Sequence, residues 1–307
     1  MDEYLLSRHV FPAQVLMAAH PPRWQNESKR LVARLSCPDG ATHSGEVTFT
    51  RWRAIPLPES LPEPVPKIES RPDYFTYESS GPGEWHLNFA DRNLFGYYAG
   101  PLFAQDEMQV AEHPALGALK EALLSQRVPC DTVDGESPTP VLVQGVERRC
   151  AIDSRGIYGN AFARAEVGAI QSATHVLSPP TVSNILAVEA PAGGFGEYSR
   201  AELKYVLVTA FTGFSAAKLV SKDHPITIHT GFWGCGAYGG NRTLMVALQI
   251  LAAWLAGVEK IVFHTGDAAS LSTIDAARAL AEGSGTLAER IDALLAQDFR
   301  WGVSDGN

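Results

Sequence analysis

Two stretches of this sequence carry residue types that could act on a phosphorylated sugar. The first is the cluster Gln105-Asp106-Glu107, which follows a strand-like segment at residues 85–89 and a loop rich in glycine and tyrosine. A carboxylic acid beside a sugar can protonate a leaving group and then activate water. Adjacent acids are also typical of the first turn of a helix, where they need no catalytic role. Taken alone, the cluster favours this second interpretation.

The second stretch, residues 226–241, reads ITIHTGFWGCGAYGGN and places five glycines between an apolar run and a helix-forming segment. Glycines let the backbone approach an anion closely. The start of a helix adds unpaired N–H groups and a partial positive charge. We therefore expect this turn to bind a phosphorylated ligand, in particular a nucleotide.

Two other interpretations of the glycine-rich turn remain open. Gly234, Gly236 and Gly239 satisfy the G-x-G-x-x-G pattern of a dinucleotide-binding oxidoreductase, although a single match so late in the chain is weak evidence. The second interpretation is a tight turn that binds no ligand. The aromatic residues Trp233 and Tyr238, which lie between the glycines, make this second interpretation less favoured. A phosphate cradle in a different α/β fold is the interpretation that we favour.

Composition narrows the class of protein. The chain has 307 residues, of which 45% are hydrophobic and 19% charged, with a formal net charge of −9. This acidic balance argues against general nucleic-acid or membrane-surface binding, while backbone N–H groups could still bind one anion locally. The four cysteines and nine histidines show no metal-ligand spacing, so we expect no metal and a reduced, cytoplasmic protein. No G-x-S-x-G nucleophile motif occurs.

The elements that must position the two stretches alternate between strand and helix. Strands are predicted at residues 85–89, 139–144, 184–189, 226–229 and 260–264, and helices at 113–124, 200–210, 243–256, 270–280 and 286–297. This alternation predicts a three-layer α/β domain over residues 73–307. Residues 1–72 are predicted to form an accessory segment, with short helices within 1–45 and a proline-rich extended connector over 56–72. No membrane-spanning or secretory segment is expected.

The two stretches together resemble the poly(ADP-ribose) glycohydrolase family, whose fold is the macrodomain. Three motifs carry the resemblance of the first stretch: Asn88-Phe89-Ala90-Asp91 aligns with an acidic strand end, Phe95-Gly96-Tyr97 with a triple-glycine loop, and Gln105-Asp106-Glu107 with a Gln-Glu-Glu. Residues 229–241 resemble the second loop of the family. Residues 184–189, 248–253 and 263–267 continue the similarity, which spans about residues 45–267.

The resemblance implies a three-layer macrodomain-like mixed sheet flanked by helices. It implies a glycohydrolase that cleaves a ribosyl glycosidic bond in an ADP-ribose-type substrate: ADP-ribosylated protein, poly(ADP-ribose) or an NAD-derived nucleotide. Glu107 would be the general acid/base, with Asp106 beside it, and no cofactor is implied. The ligand-binding residues that it implies are Asn88, Asp91, Gly96, Tyr97, Gln105, Gly234, Cys235, Gly236, Ala237 and Tyr238. Tyr158 is the candidate for stacking on adenine.

The departures from the family pattern lie on the side that contacts the ribose. Only Gly96 of the triple glycine remains, and bulky side chains at residues 95, 97 and 98 are expected to narrow or reshape the pocket. Phe232 stands where the family has an asparagine, and Asn88 and Asp91 occur in swapped order. These changes favour a mono-ADP-ribosyl or NAD-derived substrate over a long polymer. They also leave an alternative open, a reader module that binds ADP-ribose without cleaving it.

Overall fold

The computed structural model describes residues 3–74, 81–191, 193–222 and 224–306. Its main strands are β1 Leu5–Pro12, β2 Glu46–Trp52, β3 Lys67–Arg71, β4 Glu84–Ala90, β7 Val141–Ile152, β8 Thr174–Glu189, β9 Thr227–Thr230 and β10 Lys260–His264. They form one eight-stranded sheet in the order β1-β2-β7-β8-β4-β9-β10-β3. The short strands β5 Val133–Asp134 and β6 Ser137–Pro138 form a separate hairpin.

Helices cover both faces of the sheet. They are α1 Ala13–Ala19, α2 Glu27–Ser36, α3 Gln105–Glu112, α4 Pro114–Ser125, α5 Val167–Ala173, α6 Arg200–Ser221, α7 Arg242–Leu255, α8 Leu271–Ala281 and α9 Leu287–Leu295, with a 3-10 helix at Gly159–Arg164. Leu186 and Val188 pack in one core with α6 to α9, whereas Ile185 and Ala187 pack in another with α1 and α4. Alternate residues of a strand face opposite sides, so β8 joins the two cores. The predicted three-layer α/β architecture is confirmed.

The direction of the strands decides where the site can form. β8, β4, β9, β10 and β3 are parallel neighbours, whereas β1, β2, β7 and β8 pair antiparallel. The carboxyl ends of parallel strands meet at one edge of a sheet, where ligands of such folds bind. The segment after β4, residues 91–104, is called here the tyrosine loop, and the segment after β9, residues 231–241, the glycine loop. Both begin at this edge.

The N-terminal residues differ from the prediction. Helices α1 and α2 lie within residues 1–45 as expected, but Leu5–Pro12 is a strand, paired antiparallel with β2. Its residues alternate between partly buried and exposed, which is typical of an edge strand and was missed in the mixed apolar pattern. Residues 53–66 contain no helix or strand, and β3 then pairs with β10. Residues 1–72 therefore supply three strands, including both edges, to the same sheet as the rest of the chain.

Three central elements are longer than predicted. β7 has 12 residues and β8 has 16, because their polar halves pair with each other beyond the core. α6 continues to Ser221, and its length and apolar composition alone would allow it to cross a membrane. Within this fold, 61% of its most apolar window is buried, and the helix packs on the sheet and on α7.

Candidate functional site

A cavity of about 340 Å³ opens where the tyrosine loop, the start of α3 and the glycine loop meet. Its volume lies in the range of small-ligand pockets. Its lining combines aromatic side chains, acidic side chains and exposed glycine backbone. The described residues that line it are Tyr74, Phe89, Ala90, Asp91, Tyr97, Leu102, Ala104, Gln105, Asp106, Glu107, Tyr158, Ala190, Phe232, Trp233, Gly234, Cys235, Gly236, Ala237, Tyr238, Arg242, His264, Thr265, Asp267 and Asp305.

Gln105 fixes the start of α3 to the end of β4. Its side-chain carbonyl Oε1 accepts a hydrogen bond from the Phe89 N–H at 2.8 Å, and its Nε2 donates to the Leu87 carbonyl at 2.9 Å. Both bonds are made to strand backbone, so they hold the first turn of the helix in one position. The two following acids are therefore presented at a defined place beside the strand end.

Asp106 and Glu107 are both buried, at 5% and 3% exposure. Asp106 Oδ1 accepts from Asn88 Nδ2 at 3.0 Å, and Glu107 Oε2 accepts from the Ala104 N–H at 3.0 Å. Burial raises the pKa of Asp106, and the neighbouring Glu107 charge raises it further. Burial also raises the pKa of Glu107. The pair can thus hold a proton where exposed carboxylates would have lost it, which is the property required of a general acid.

A lysine from the N-terminal segment lies behind this acidic pair. Lys29 of α2 is 0% exposed, and its Nζ donates to the Tyr98 carbonyl at 2.8 Å. The same Nζ is 5.9 Å from the centre of the Phe103 ring. Burial lowers the pKa of Lys29 to about 8, and the charges of Glu107 and Asp106 oppose that shift. The N-terminal segment therefore contributes charge to the site.

The glycine loop is built so that its backbone faces the cavity. Gly234 has a φ of +74°, and a Cβ there would lie 2.5 Å from the Cβ of Ala190. A Cβ on Gly240 would lie 2.6 Å from the Gly234 carbonyl oxygen, to which the Gly240 N–H donates at 2.9 Å. At the end of the loop, Asn241 Oδ1 accepts from the Leu244 N–H and caps α7. Only glycine fits this close packing without strain.

A tyrosine connects the glycine loop to the end of β4. The Tyr238 hydroxyl donates to Asp91 Oδ2 at 3.2 Å. Glu189, at the end of β8, lies beside this pair, and burial with the Asp91 charge raises its pKa to about 7. The two loops are thereby tied together at the mouth of the cavity.

The residues that replace the family's triple glycine do not all enter the cavity. Phe95 and Tyr98 are buried on the α4 side of the sheet, and neither lines the cavity. Tyr98 donates its hydroxyl hydrogen to Glu121 Oε1 at 2.8 Å and accepts from the Arg23 N–H at 2.7 Å. Two of the three bulky side chains that were expected to narrow or reshape the pocket therefore do not enter it.

Tyr97 and Gly96 occupy different places in the tyrosine loop. Tyr97 lines the cavity and is 54% exposed at its rim. Gly96 does not line it, and a Cβ there would lie 2.4 Å from Asn93 Nδ2. Its N–H donates to the Asn93 carbonyl at 2.7 Å, so this glycine is required by a tight turn. Tyr97 is thus the one replacement side chain of the three that a ligand could touch.

Aromatic side chains line one part of the cavity. The rings of Tyr74 and Tyr158 are 5.9 Å apart, and the Arg242 guanidinium lies 4.6 Å from the Phe232 ring centre. Arg242 is the one arginine or lysine among the described residues that line the cavity. A flat aromatic group could pack here, with a cation nearby for an anionic group.

A series of side chains joined by hydrogen bonds supports this aromatic part of the cavity. His229 Nε2 contacts Glu84 Oε2 at 2.6 Å, and His229 Nδ1 contacts His264 Nε2 at 3.1 Å. His264 Nδ1 then contacts Asp73 Oδ1 at 2.5 Å. Asp73 precedes Tyr74, so the chain fixes the segment that carries this ring. Across the described ranges, no group of three or more histidine, cysteine or acidic side chains could hold a metal ion.

The C-terminal residues run alongside the glycine loop. The Gly302 N–H donates to the Gly239 carbonyl at 2.7 Å, and the Asp305 N–H donates to the Gly236 carbonyl at 3.4 Å. The carboxylate Oδ2 of Asp305 lies 3.3 Å from the position that a Cβ on Gly236 would take. This segment therefore places a negative charge directly beside the glycine backbone.

Most of the residues singled out from sequence come together here. Of the predicted catalytic and ligand-binding residues, ten line the cavity: Asp91, Tyr97, Gln105, Asp106, Glu107, Gly234, Cys235, Gly236, Ala237 and Tyr238. Tyr158, the candidate for stacking on adenine, also lines it. Asn88 and Gly96 do not line it; Asn88 is 0% exposed and contacts the cavity only through Asp106. Sequence reasoning missed Lys29, Tyr74, Arg242 and Asp305. Arg242 follows the glycine loop directly and could have been found, whereas the other three lie far from both motifs and gave no local signal.

Comparison with known proteins identifies the family of this chain. The family model described as poly(ADP-ribose) glycohydrolase, macro domain fold, matches residues 64–273. The glycohydrolase from Thermomonospora curvata bound to the inhibitor ADP-HPD is 15% identical, with 89% of this chain and 84% of that chain covered and a TM-score of 0.48. The one from Deinococcus radiodurans in complex with ADP-ribose is 14% identical, with 89% and 93% covered and a TM-score of 0.45. Because the family model spans well over half of the sequence, this chain belongs to the poly(ADP-ribose) glycohydrolase family and has its macro domain fold.

Proposed function

We propose that this protein hydrolyses the glycosidic bond of an ADP-ribosyl group, with Glu107 as the general acid and base. The observation that carries the proposal is the convergence of two distant motifs on one cavity. A buried carboxyl pair at the start of α3 and the glycine backbone after β9 line the same space. A sugar held between them would have its diphosphate at the backbone and its reacting carbon near an acid.

The lining suggests how ADP-ribose would lie in the cavity. Its diphosphate fits the glycine loop, where backbone N–H groups and Arg242 can offset negative charge. Its adenine fits beside the aromatic rings of Tyr74 and Tyr158. The ribose that carries the bond to be cut would then lie between Glu107 and Tyr238.

The proposed reaction uses one carboxyl twice. Protonated Glu107 donates its proton to the leaving oxygen as the bond to the anomeric carbon breaks, which leaves an oxocarbenium-like ribose. Glu107, now a carboxylate, accepts a proton from water as that water attacks the same carbon. The raised pKa of buried Glu107 favours the starting protonated form.

Asp106 is proposed to support the reacting ribose without transferring a proton. Its Oδ1 is held by Asn88, so its position is fixed by a side chain that does not itself line the cavity. Its side chain is one methylene shorter than the glutamate of the family pattern. The ribose hydroxyls must therefore lie closer to the backbone of α3 to contact this carboxylate.

Tyr97 is the residue that distinguishes among substrates. Since Phe95 and Tyr98 turn away from the cavity, most of the expected narrowing is absent. We propose that poly(ADP-ribose), protein carrying a single ADP-ribosyl group and small NAD-derived nucleotides are all candidate substrates. Tyr97 would set how large a group the site accepts beyond the reacting ribose.

The substitution Glu107→Gln tests the proposal. Release of ADP-ribose from polymer, from mono-ADP-ribosylated protein and from small nucleotides would be followed by chromatography, and ADP-ribose binding by calorimetry. We expect turnover to fall by a factor of about 10² or more and binding to persist.

Glu289→Gln is the matched control for this test. Glu289 also accepts a hydrogen bond from the backbone N–H at the start of its helix, at 2.7 Å from Thr286, but it lies in α9 away from the cavity. The turnover of the Glu289→Gln variant should equal that of the wild type. Full activity in Glu107→Gln would remove Glu107 from the mechanism. Tight ADP-ribose binding by the wild type with no turnover on any substrate would support the reader module.

A further inference from the structure

The buried lysine of α2 is held in one position. Asn26 Oδ1 accepts from the Lys29 N–H at 3.1 Å and caps the helix, and Nζ is fixed by the Tyr98 carbonyl at 2.8 Å. The helix packs against α3. An ammonium group that is 0% exposed has lost its hydration, which is costly unless opposite charge lies close by.

The chain beside the ammonium leads directly into the acids at the start of α3. Nζ is 5.9 Å from the Phe103 ring centre, and the next residue, Ala104, donates its N–H to Glu107 at 3.0 Å. Glu107 and then Asp106 are the groups whose charges favour the protonated form of Lys29. The effect is mutual, since the Lys29 charge favours the carboxylate form of Glu107. Of the other groups that face Glu107, the adjacent Asp106 and Asp91 after β4 act in the opposite direction, and the Tyr158 hydroxyl also lies within range of its charge.

On the basis of the proposed function, we propose that Lys29 is a positioning residue for the general acid. Its charge sets the pH range over which Glu107 holds a proton, and its hydrogen bond holds the tyrosine loop against α2, which packs on α3. Lys29 lies outside the residues that match the family model, which begin at residue 64. The N-terminal segment would thus adjust the chemistry of a site whose reacting groups all come from later in the chain.

The sign of the effect follows from the charge. Removing the Lys29 charge makes the Glu107 carboxylate less favourable, so the pKa of Glu107 rises and its protonated form persists to higher pH. If protonated Glu107 is required for turnover, the alkaline limb of kcat/KM must move upward. An opposite charge close by shifts a carboxyl by a unit or more, so we expect a shift of about one pH unit.

The first experiment compares pH profiles of kcat/KM for the wild type, Lys29→Gln and Lys29→Arg. The glutamine keeps a donor for the Tyr98 carbonyl but removes the charge, and the arginine keeps both. We expect the alkaline limb to move upward in Lys29→Gln and to stay in place in Lys29→Arg. A purely structural role would lower the rate of Lys29→Gln at every pH without moving the limb, and that result would overturn the proposal.

Lys120→Gln is the matched control. Lys120 is also buried, at 4% exposure, and its Nζ also contacts the tyrosine loop, at 2.6 Å from Asn93 Oδ1. Its Nζ contacts Asn93 and Cys130 and no acid of α3. The alkaline limb of kcat/KM for Lys120→Gln should therefore match that of the wild type even if the variant is less stable.

A second measurement needs no variant of Lys29 and no turnover. The Lys29 ammonium group would be titrated by NMR in the wild type and in Glu107→Gln. Loss of the Glu107 charge should lower the pKa of Lys29 by about one unit, and equal values in both proteins would refute the coupling. A wild type that shows the coupling but cleaves no substrate would leave the charge pair established and remove the proposed function instead.

Discussion

The glycine loop and the tyrosine loop follow neighbouring parallel strands and face one cavity, yet they are built in opposite ways. In the glycine loop, a Cβ on Gly234 or Gly240 would approach within 2.6 Å of other atoms, so the backbone itself forms the wall. In the tyrosine loop, Phe95 and Tyr98 anchor the backbone by burying their side chains in the opposite core. At these two glycines the first loop leaves no room for a Cβ, although its Trp233 is also buried in the core. The second loop has buried aromatic side chains at places where the family pattern has glycine or a neighbour of glycine.

This difference explains how the family pattern can be lost in one loop and kept in the other. A backbone that packs as closely as it does at Gly234 and Gly240 tolerates no added Cβ at those positions. A loop whose task is to position a neighbouring helix can gain large residues, provided that they point into the core. Four predictions test this contrast.

The largest effect is expected in the tyrosine loop core. Tyr98→Ala removes a side chain that is 3% exposed and leaves a cavity, which should cost about 3 kcal/mol of the free energy of unfolding. Tyr97→Ala, at the exposed rim, should change that free energy by less than about 0.5 kcal/mol. Urea denaturation of both variants measures the contrast. An equal loss of unfolding free energy in the two variants would contradict the placement of Tyr98 in the core and Tyr97 at the cavity rim.

A smaller loss of stability is expected in the glycine loop. Gly234→Ala forces a side chain onto a φ of +74° and against Ala190, at a cost of about 2 kcal/mol. ADP-ribose binding should weaken as the turn shifts. Gly100→Ala is the control in the tyrosine loop, because its Cβ would meet only the Tyr97 carbonyl oxygen, at 3.6 Å. Calorimetry that finds the two variants equal in affinity would contradict the role of the glycine backbone.

Asp106, the buried acid that follows the tyrosine loop at the start of α3, predicts how stability varies with pH. Burial and the Glu107 charge raise the pKa of Asp106 above its unfolded value, so the folded chain binds a proton that the unfolded chain releases. Stability is thus full below the unfolded pKa and falls as pH rises through the folded one. Asp106→Asn should flatten the decrease in melting temperature between pH 5 and pH 8.5, by roughly 2–4 °C for each kcal/mol removed. Asp39→Asn, at an exposed site, should leave the slope as in the wild type.

The smallest effect is expected where the C-terminal residues meet the glycine loop. The Asp305 carboxylate lies beside Gly236, where the diphosphate is proposed to bind. Asp305→Asn should tighten ADP-ribose binding by a factor of about two to five, as expected for one exposed charge contact. The gain should shrink as salt is added. Asp298→Asn, an exposed acid outside the cavity lining, is the control. Unchanged affinity in Asp305→Asn would show that the diphosphate lies elsewhere.

Several features could be read from the sequence because they are local. The glycine loop, the acids of α3 and most strands and helices after residue 84 are contiguous patterns, and their periodicity and turn residues predict them directly. The edge strand β1 was missed because its pairing depends on β2, some 40 residues later in the chain. The polar halves of β7 and β8 were missed for the same reason, since each is stabilised mainly by the other.

The sequence by itself determined which chemical groups are present and which family pattern they follow, because Gln105-Asp106-Glu107 and the glycine loop are short and continuous. Only the tertiary structure decided which way each side chain points. Loop residues follow no repeat, so the burial of Phe95 and Tyr98 could not be told apart from the exposure of Tyr97. The approach of Lys29 and Asp305 to the cavity was likewise decided by packing, since contacts between residues far apart in the chain exist only once the sheet and its two helical layers have formed.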